Sequence, residues 1–289
     1  MSARRLQLIS VPFHLGVRDV SMGRGPGELL GEGALAERLR ESGHDIELGE
    51  LGDPAEESEV GRIFELNREL SARVRAAREG GREPVVLAGN CNVCIGALGG
   101  CGVERCGIVW IDAHPDFQTP ETTETGFIDG MGLAIATGAC WVPLAGSVPG
   151  FQPVDERDVV LVAARDIDEG EAERLAASEV GVIPGGRGPG ATYAADVERA
   201  VTALAERVDG VYLHVDLDSL DPSLGRANEY ACDGGLGHED LAAVVAAVAA
   251  NVPVLATSFT AFDPGVDPDG PFRATALEAI DSVVGVTSR

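Results

Sequence analysis

Ile108-Val-Trp-Ile-Asp112-Ala-His114-Pro-Asp116 is an apolar run closed by an acidic cluster. Further along, the chain repeats the device as Gly210-Val-Tyr-Leu-His214-Val-Asp216-Leu-Asp218-Ser-Leu-Asp221-Pro222. Side chains alternate across a strand with a period of two. Asp112, His114 and Asp116 therefore share a direction if the strand continues, and so do Asp216 and Asp218. Two strand ends can thus aim several carboxylates and one imidazole at a single place. Carboxylates held a few ångströms apart repel one another unless divalent cations neutralise them. The competing reading is two acidic turns exposed at a sheet edge; the recurrence of the spacing at two strand ends favours the metal site.

Outward from these two points, apolar β-rich segments alternate with Ala-, Leu-, Glu- and Arg-rich stretches. The patterning predicts strands near 6–12, 45–51, 84–89, 107–112, 158–164, 180–183, 210–216 and 254–259. It predicts helices near 27–42, 57–79, 93–99, 169–178, 194–208, 238–251 and 271–284. Continuous apolar strands separated by helices imply a parallel sheet covered on both faces, with an eight-stranded barrel as the competing architecture. In both, chemistry belongs at the carboxyl ends of the strands, where the two acidic clusters lie. No linker, repeat or low-complexity segment divides the chain, so residues 1–289 read as one α/β domain. Gly185-Gly-Arg-Gly-Pro-Gly190 reads as a surface loop. Gly23-Arg-Gly-Pro-Gly27 lacks both the Gly-x-Gly-x-x-Gly pattern and any lysine, so it reads as a cap and loop.

Composition narrows the partners. A net charge of −25 argues against nucleic acid and anionic membranes, and no apolar run has the length of a membrane span. The start reads as a first strand rather than a secretory signal, and a cytoplasmic location is expected. All 22 basic residues are arginine, which rules out Schiff-base lysine chemistry and a lysine-bearing phosphate loop. The six cysteines are expected to be reduced. Cys91-Asn-Val-Cys94 has the spacing of a redox or zinc motif, but Cys101 and Cys106 do not supply a second pair of that spacing.

With both clusters placed, the chain resembles the ureohydrolases, the family of arginase, agmatinase and formimidoylglutamase. The strongest matches are Trp110-Ile-Asp112-Ala-His114-Pro-Asp116 and His214-Val-Asp216-Leu-Asp218-Ser-Leu-Asp221-Pro222. Thr119-Pro-Glu-Thr-Thr-Glu-Thr-Gly126 and Arg165-Asp-Ile-Asp-Glu-Gly-Glu171 add arginase-like segments. The resemblance implies a three-layer α/β/α fold with an eight-stranded parallel sheet. It also implies one or two Mn²⁺ ions per chain, a bridging hydroxide that attacks a guanidinium carbon, and a trimeric or hexameric homo-oligomer. Carried over, Asp112 and Asp216 bridge the ions, His114 and Asp218 serve one, and Asp116 serves the other. Gln118, Thr123 and Thr125 match positions that contact a substrate carboxylate, and Asp168 matches one that meets an α-ammonium. As an alternative for these residues, Thr-rich loops and helix starts also satisfy backbone donors as caps.

Three positions depart from the family pattern. Where a histidine binds the second ion, this chain has Ala88-Gly-Asn-Cys91; a cysteine offers soft sulfur where Mn²⁺ prefers oxygen or nitrogen. Cys91 is either a thiolate ligand or a small buried apolar residue, and the hydroxyarginine hydrolase branch, which this chain also resembles, shares the substitution. The glutamate that grips the guanidinium falls at Ala261, leaving Asp263, Asp267 or Asp269 as possible substitutes. The active-site histidine falls at Asp129, which together with Asp116 is a catalytic candidate, as a carboxylate base or cation anchor. His238 is a weaker candidate for the missing imidazole, because it also suits the first turn of a helix.

The expected function is metal-dependent hydrolysis of a C–N bond in a guanidino, hydroxyguanidino or amidine small molecule. The alternative is a homologue that has lost catalysis and serves as a ligand-binding or assembly protein.

Overall fold

The computed structural model describes residues 3–31, 34–190, 193–268 and 270–286. Its strands, in chain order, are β1 (Arg5–Val11), β2 (Phe13–His14), β3 (Val17–Arg18), β4 (Asp45–Glu50), β5 (Glu83–Ala88) and β6 (Cys106–Ile111), followed by β7 (Val159–Val162), β8 (Gly181–Ile183), β9 (Gly210–Asp216) and β10 (Val254–Thr260). Eight of them form one sheet in the order β4-β1-β5-β10-β9-β6-β7-β8, with every neighbouring pair parallel. The sheet is open, with β4 and β8 at its edges, and not a barrel. Leu48 and Val182 on those edge strands are 48% and 40% exposed, whereas Ile108 to Ile111 on β6 are fully buried. Strands β2 and β3 pair antiparallel in a small separate ladder.

The period of two divides the core between the faces. On one face Leu6, Leu8, Val109, Ile111, Leu213 and Val215 pack against helices that include Ala194–Ala205, His238–Asn251 and Pro271–Val286. On the other face Ile9, Val11, Ile108, Trp110 and Tyr212 pack against Glu59–Glu79, Cys94–Gly100 and Gly132–Ala136. By the same parity, His214 and Asp216 follow Tyr212 onto this second face, and Asp112 follows Trp110. Each fully buried aliphatic or aromatic side chain in these layers contributes about 1.5–3 kcal/mol of apolar transfer free energy.

The helix expected over 27–42 is two helices, Gly25–Leu30 and Ala34–Glu41. Gly31, at φ 45°, ends the first one, while Glu32 and Gly33 lie outside the described residues. Gly132–Ala136 and Val142–Ala145 carried no helical signature in the sequence. Leu133, Ala134, Ile135 and Ala136 are all fully buried, so the first of these helices has no polar face to set a period.

Candidate metal centre

The strand order β5-β10-β9-β6 brings four carboxyl ends side by side. Cys91 follows β5, Thr260 closes β10, Asp216 closes β9 and Asp112 follows β6. Gly89 makes the first of these turns possible: a Cβ there would sit 2.3 Å from the Phe13 carbonyl oxygen. Two groups of potential ligands result, Cys91, Asp112, His214 and Asp216 in one and Asp112, His114 and Asp218 in the other, with all ligand atoms of a group within 4.8 Å of one another. Asp112, Asp216 and Asp218 are 1–2% exposed, so these are not solvent-facing acidic turns. Asp116 joins them on the wall of a cavity of about 180 Å³ that also holds Cys91, His114, Asp216 and Asp218. That volume is below the ~300–1,000 Å³ typical of drug-sized ligands and suits a small metabolite.

Local hydrogen bonds fix each carboxylate. Asp112 accepts from Trp110 Nε1 (2.9 Å) and from the His114 backbone amide (2.7 Å). Asp216 accepts from the Asp218 amide (2.8 Å), from Cys91 Sγ (2.9 Å) and from Thr260 Oγ1 (3.2 Å). Asp218 accepts from Asn228 Nδ2 at 3.0 Å, and His114 Nδ1 lies 3.4 Å from both Asp218 and Asp112. Asp116 has a left-handed backbone (φ 48°), which an aspartate tolerates better than most residues. Its Oδ2 is buried with no hydrogen-bond partner among the described residues.

The charges are unbalanced without a cation. Burial, with repulsion from Asp218, pushes the Asp112 carboxyl up to about 6, and burial with neighbouring aspartates drives Asp116 and Asp216 well above the usual carboxylate range. Burial would lower the His114 pKa, but Asp218 and Asp112 prevail and raise it. Reciprocally, Asp218 is held low against its burial, chiefly by His114. The unpartnered Asp116 oxygen and the crowded, costly carboxylates fit a divalent cation. Oxygen donors with one imidazole suit Mn²⁺ in the His114 group.

Around these ligands, the other expected residues divide. Asp129 lines the cavity and is fixed by Asn90 Nδ2 and by the Asn92 amide (3.0 Å); burial, against those hydrogen bonds, lifts its carboxyl to about 7. Gln118 and Thr125 also line the cavity, and Gln118 Nε2 donates to Asp168. Thr123 does not line it; its hydroxyl accepts from the Gly126 amide at 3.1 Å. Asp168 is exposed, caps the helix Glu169–Ala177 by accepting from the Glu171 amide at 2.8 Å, and does not itself line the cavity.

Of the substitutes for the missing glutamate, Asp263 is engaged by Arg24 and Ser21, each at 2.9 Å, and Asp267 accepts from the Phe272 amide at 2.7 Å. Neither lines the cavity, and Asp269 lies outside the described residues. Ala261 itself forms part of the wall, so the carboxylate lost there is not replaced by Asp263 or Asp267. His238 opens the helix His238–Asn251 and faces Glu278 at 3.5 Å, away from the cavity, so it does not supply an imidazole. Cys94 donates to the Gly132 carbonyl at 3.4 Å and does not join Cys91 as a ligand pair.

Sequence reasoning missed several contributors. Glu171 lines the cavity, accepts from the Phe117 amide at 3.0 Å and is raised by burial to about 7. It closes the Arg165–Glu171 segment, whose resemblance to arginases gives it no role of its own. His214 opens the quoted His214–Pro222 motif without a role of its own, although the period of two places it on the face of Asp216. Met22, Phe127, Asn228 and Tyr230 complete much of the wall from distant segments.

A parallel α/β sheet that gathers carboxylates and histidines at its carboxyl edge makes a candidate metal site of an open α/β protein. The Arginase family model matches residues 4–286, and the chain belongs to that family. It is 30% identical over 296 residues to an arginase of Bacillus caldovelox, covering 97% of this chain and 98% of the relative. It is 34% identical over 208 residues to an N(omega)-hydroxy-L-arginine amidinohydrolase of Streptomyces lavendulae, covering 70% of each. The solved structure of the Bacillus caldovelox arginase superposes with a TM-score of 0.83 at 28% identity, covering 98% of both chains. Among the described residues no helix is long and apolar enough to cross a membrane.

Proposed function

We propose that this chain is a divalent-metal-dependent hydrolase that cleaves a C–N bond of a guanidino, hydroxyguanidino or amidine small molecule. The observation that carries the reading is the convergence of Cys91, His114, Asp116, Asp216 and Asp218 on one cavity, with Asp112 within ligand distance of both groups beneath it. Asp112 and Asp216 would be shared between two ions, with His114 and Asp218 on one side and Asp116 and Cys91 on the other; Mn²⁺ is the ion proposed for the His114 side. When bound, such ions act as Lewis acids and generate a water-derived nucleophile at neutral pH.

The chain's own residues bind and orient. Asn90 and the Asn92 amide hold the Asp129 carboxylate at the cavity wall, where it anchors a cationic group or takes a proton. Gln118 and Thr125 offer polar contacts to a substrate carboxylate, Thr123 shapes that loop, and Glu171 on the cavity wall faces an amino end, with Asp168 outside the lining accepting from Gln118 and from the Glu171 amide. Phe127 and Tyr230, with ring centroids 5.9 Å apart, add aromatic surface to the cavity wall. The resemblance extends the proposal to a cytoplasmic homo-oligomer.

The test is the Mn²⁺-loaded protein incubated with arginine, Nω-hydroxyarginine, agmatine and formimidoylglutamate, with urea, hydroxyurea and ammonia or formamide measured. Turnover of any member supports the reading; silence on all four with metal fully loaded overturns it. Ala261 favours a second reading, a catalytically silent ligand-binding homologue, for which an amino-acid ligand would raise the melting temperature without turnover.

A further inference from the structure

His214 is fully buried beneath the cavity and is one of four groups whose donor atoms lie within 4.8 Å of one another. Tyr212 OH is 2.9 Å from His214 Nδ1, which leaves Nε2 facing Thr260 Oγ1 at 3.4 Å. The indole of Trp110, in register with His214 on β6, stacks on the imidazole with centroids 3.6 Å apart and planes at 15°. Ring plane and nitrogen are therefore set by neighbours, as in ligating histidines whose other nitrogen is hydrogen-bonded. On the same side, Cys91 Sγ is 2.9 Å from Asp216 Oδ2 and 3.2 Å from Thr260 Oγ1.

We propose that Cys91, Asp112, His214 and Asp216 bind one divalent ion as a thiolate, an imidazole and two carboxylates, a donor set that selects an ion of the Zn²⁺ class over Mn²⁺. Zinc reaches sulfur at about 2.3 Å and nitrogen or oxygen at about 2.0–2.2 Å, so donors already within 4.8 Å of one another close onto one ion with shifts of under about 1 Å each. Asp116 adds a buried oxygen without a hydrogen-bond partner among the described residues, on the wall that Cys91 shares. On binding, the Cys91 S–H proton leaves to solvent and the sulfur binds as thiolate, with no change of oxidation state. The His114 group contains no sulfur, so the two positions differ in softness and share Asp112. This inference rests on the metal-dependent reading and deepens it.

The experiment titrates metal-free full-length protein with Co²⁺, a spectroscopic stand-in for Zn²⁺, and follows near-ultraviolet thiolate-to-metal charge transfer. Wild type is expected to show the band, Cys91→Ser to lose it, and His214→Gln to bind Co²⁺ about tenfold or more weakly. With equimolar Zn²⁺ and Mn²⁺, wild type retains at least one Zn²⁺ per chain. Far-ultraviolet circular dichroism verifies that each variant folds; Tyr212→Phe, which unties Nδ1, replaces His214→Gln if that variant does not. Stoichiometric Co²⁺ binding without charge transfer overturns the proposal and leaves the metal-dependent reading standing, as does unweakened binding by the folded histidine or tyrosine variant. Failure of wild type to bind any of the three ions overturns both.

Discussion

Asn228 Nδ2 donates to Asp218 Oδ2 at 3.0 Å and, with its second hydrogen, to the Ala261 carbonyl at 2.9 Å. One buried amide therefore ties a ligand carboxylate to the cavity wall, while its Oδ1 accepts from the Tyr230 amide at 2.9 Å. Removing it leaves a carboxylate that can rotate and a buried carbonyl without its donor, an orphaning that costs about 1–3 kcal/mol. Asn228→Ala is expected to weaken Mn²⁺ binding about 10- to 100-fold, the usual effect of losing a partner that orients a ligand. Calorimetric titration of the metal-free variant measures it, and an unchanged affinity would refute the role.

The metal-free protein should lose stability as pH rises through neutrality. Asp112 is raised by burial to about 6, and Asp129 and Glu171 likewise to about 7. An acid whose folded pKa exceeds its unfolded value binds more protons when folded, so stability falls as pH climbs between the two. His114, raised from 6.5, adds to the same slope above that value. Asp218 is lowered, and its contribution is fully present above its unfolded pKa, hence constant across this window. The melting temperature of the metal-free protein is expected to drop between pH 5 and pH 7.5. The increase caused by Mn²⁺ should grow over the same interval, because the ion replaces protons. A flat or rising metal-free curve contradicts this.

Much of this was legible in the chain because parallel strands announce themselves. Ile108 to Ile111 and Gly210 to Val215 are apolar on both parities, which only a sheet covered on both faces requires, and the carboxylates that end them name the functional edge. Residues such as Asn228 and Met22 reach the cavity from segments with no repeating spacing, so nothing local marks them. His214 was legible by parity and overlooked, because a histidine inside an apolar strand reads as core. His238 and Asp267 misled for the opposite reason: polar side chains near a glycine-rich turn suit a site and a helix start equally well, and here the helix start prevails.

Asp221 shows how a carboxylate near the site serves structure rather than chemistry. Its oxygens accept from the Ser223, Gly234 and Gly235 amides at 3.0, 2.9 and 3.0 Å, and those bonds hold its pKa below the ordinary value despite burial. Gly235 admits no side chain, since a Cβ would fall 2.6 Å from the Asp221 nitrogen. Asp221→Ala strands these backbone donors and should destabilise the fold by about 2–4 kcal/mol. Thermal and urea melts read this loss, whereas Mn²⁺ affinity, measured below the melting point, is expected to change less than in Asn228→Ala.

Ala261 is the wall position expected to govern which head group the cavity accepts. It is 4% exposed, holds φ 64°, and presents only a methyl group to the wall. A guanidinium placed there meets no carboxylate from this position and loses the bidentate pairing that makes such contacts strong. A substrate with a less basic head, such as a hydroxyguanidine, forfeits less by that absence. Ala261→Glu is expected to tighten binding of arginine relative to Nω-hydroxyarginine by about tenfold, the value of one charge-assisted hydrogen bond of ~1.5–3 kcal/mol partly offset by desolvation. The non-glycine left-handed backbone is already present in the wild type, so its strain is common to both proteins. Kd values for the two ligands, measured on the folded variant and the wild type under identical metal loading, provide the comparison. If the preference stays where it was, Ala261 is not the residue that sets it, and Asp129 becomes the position to exchange.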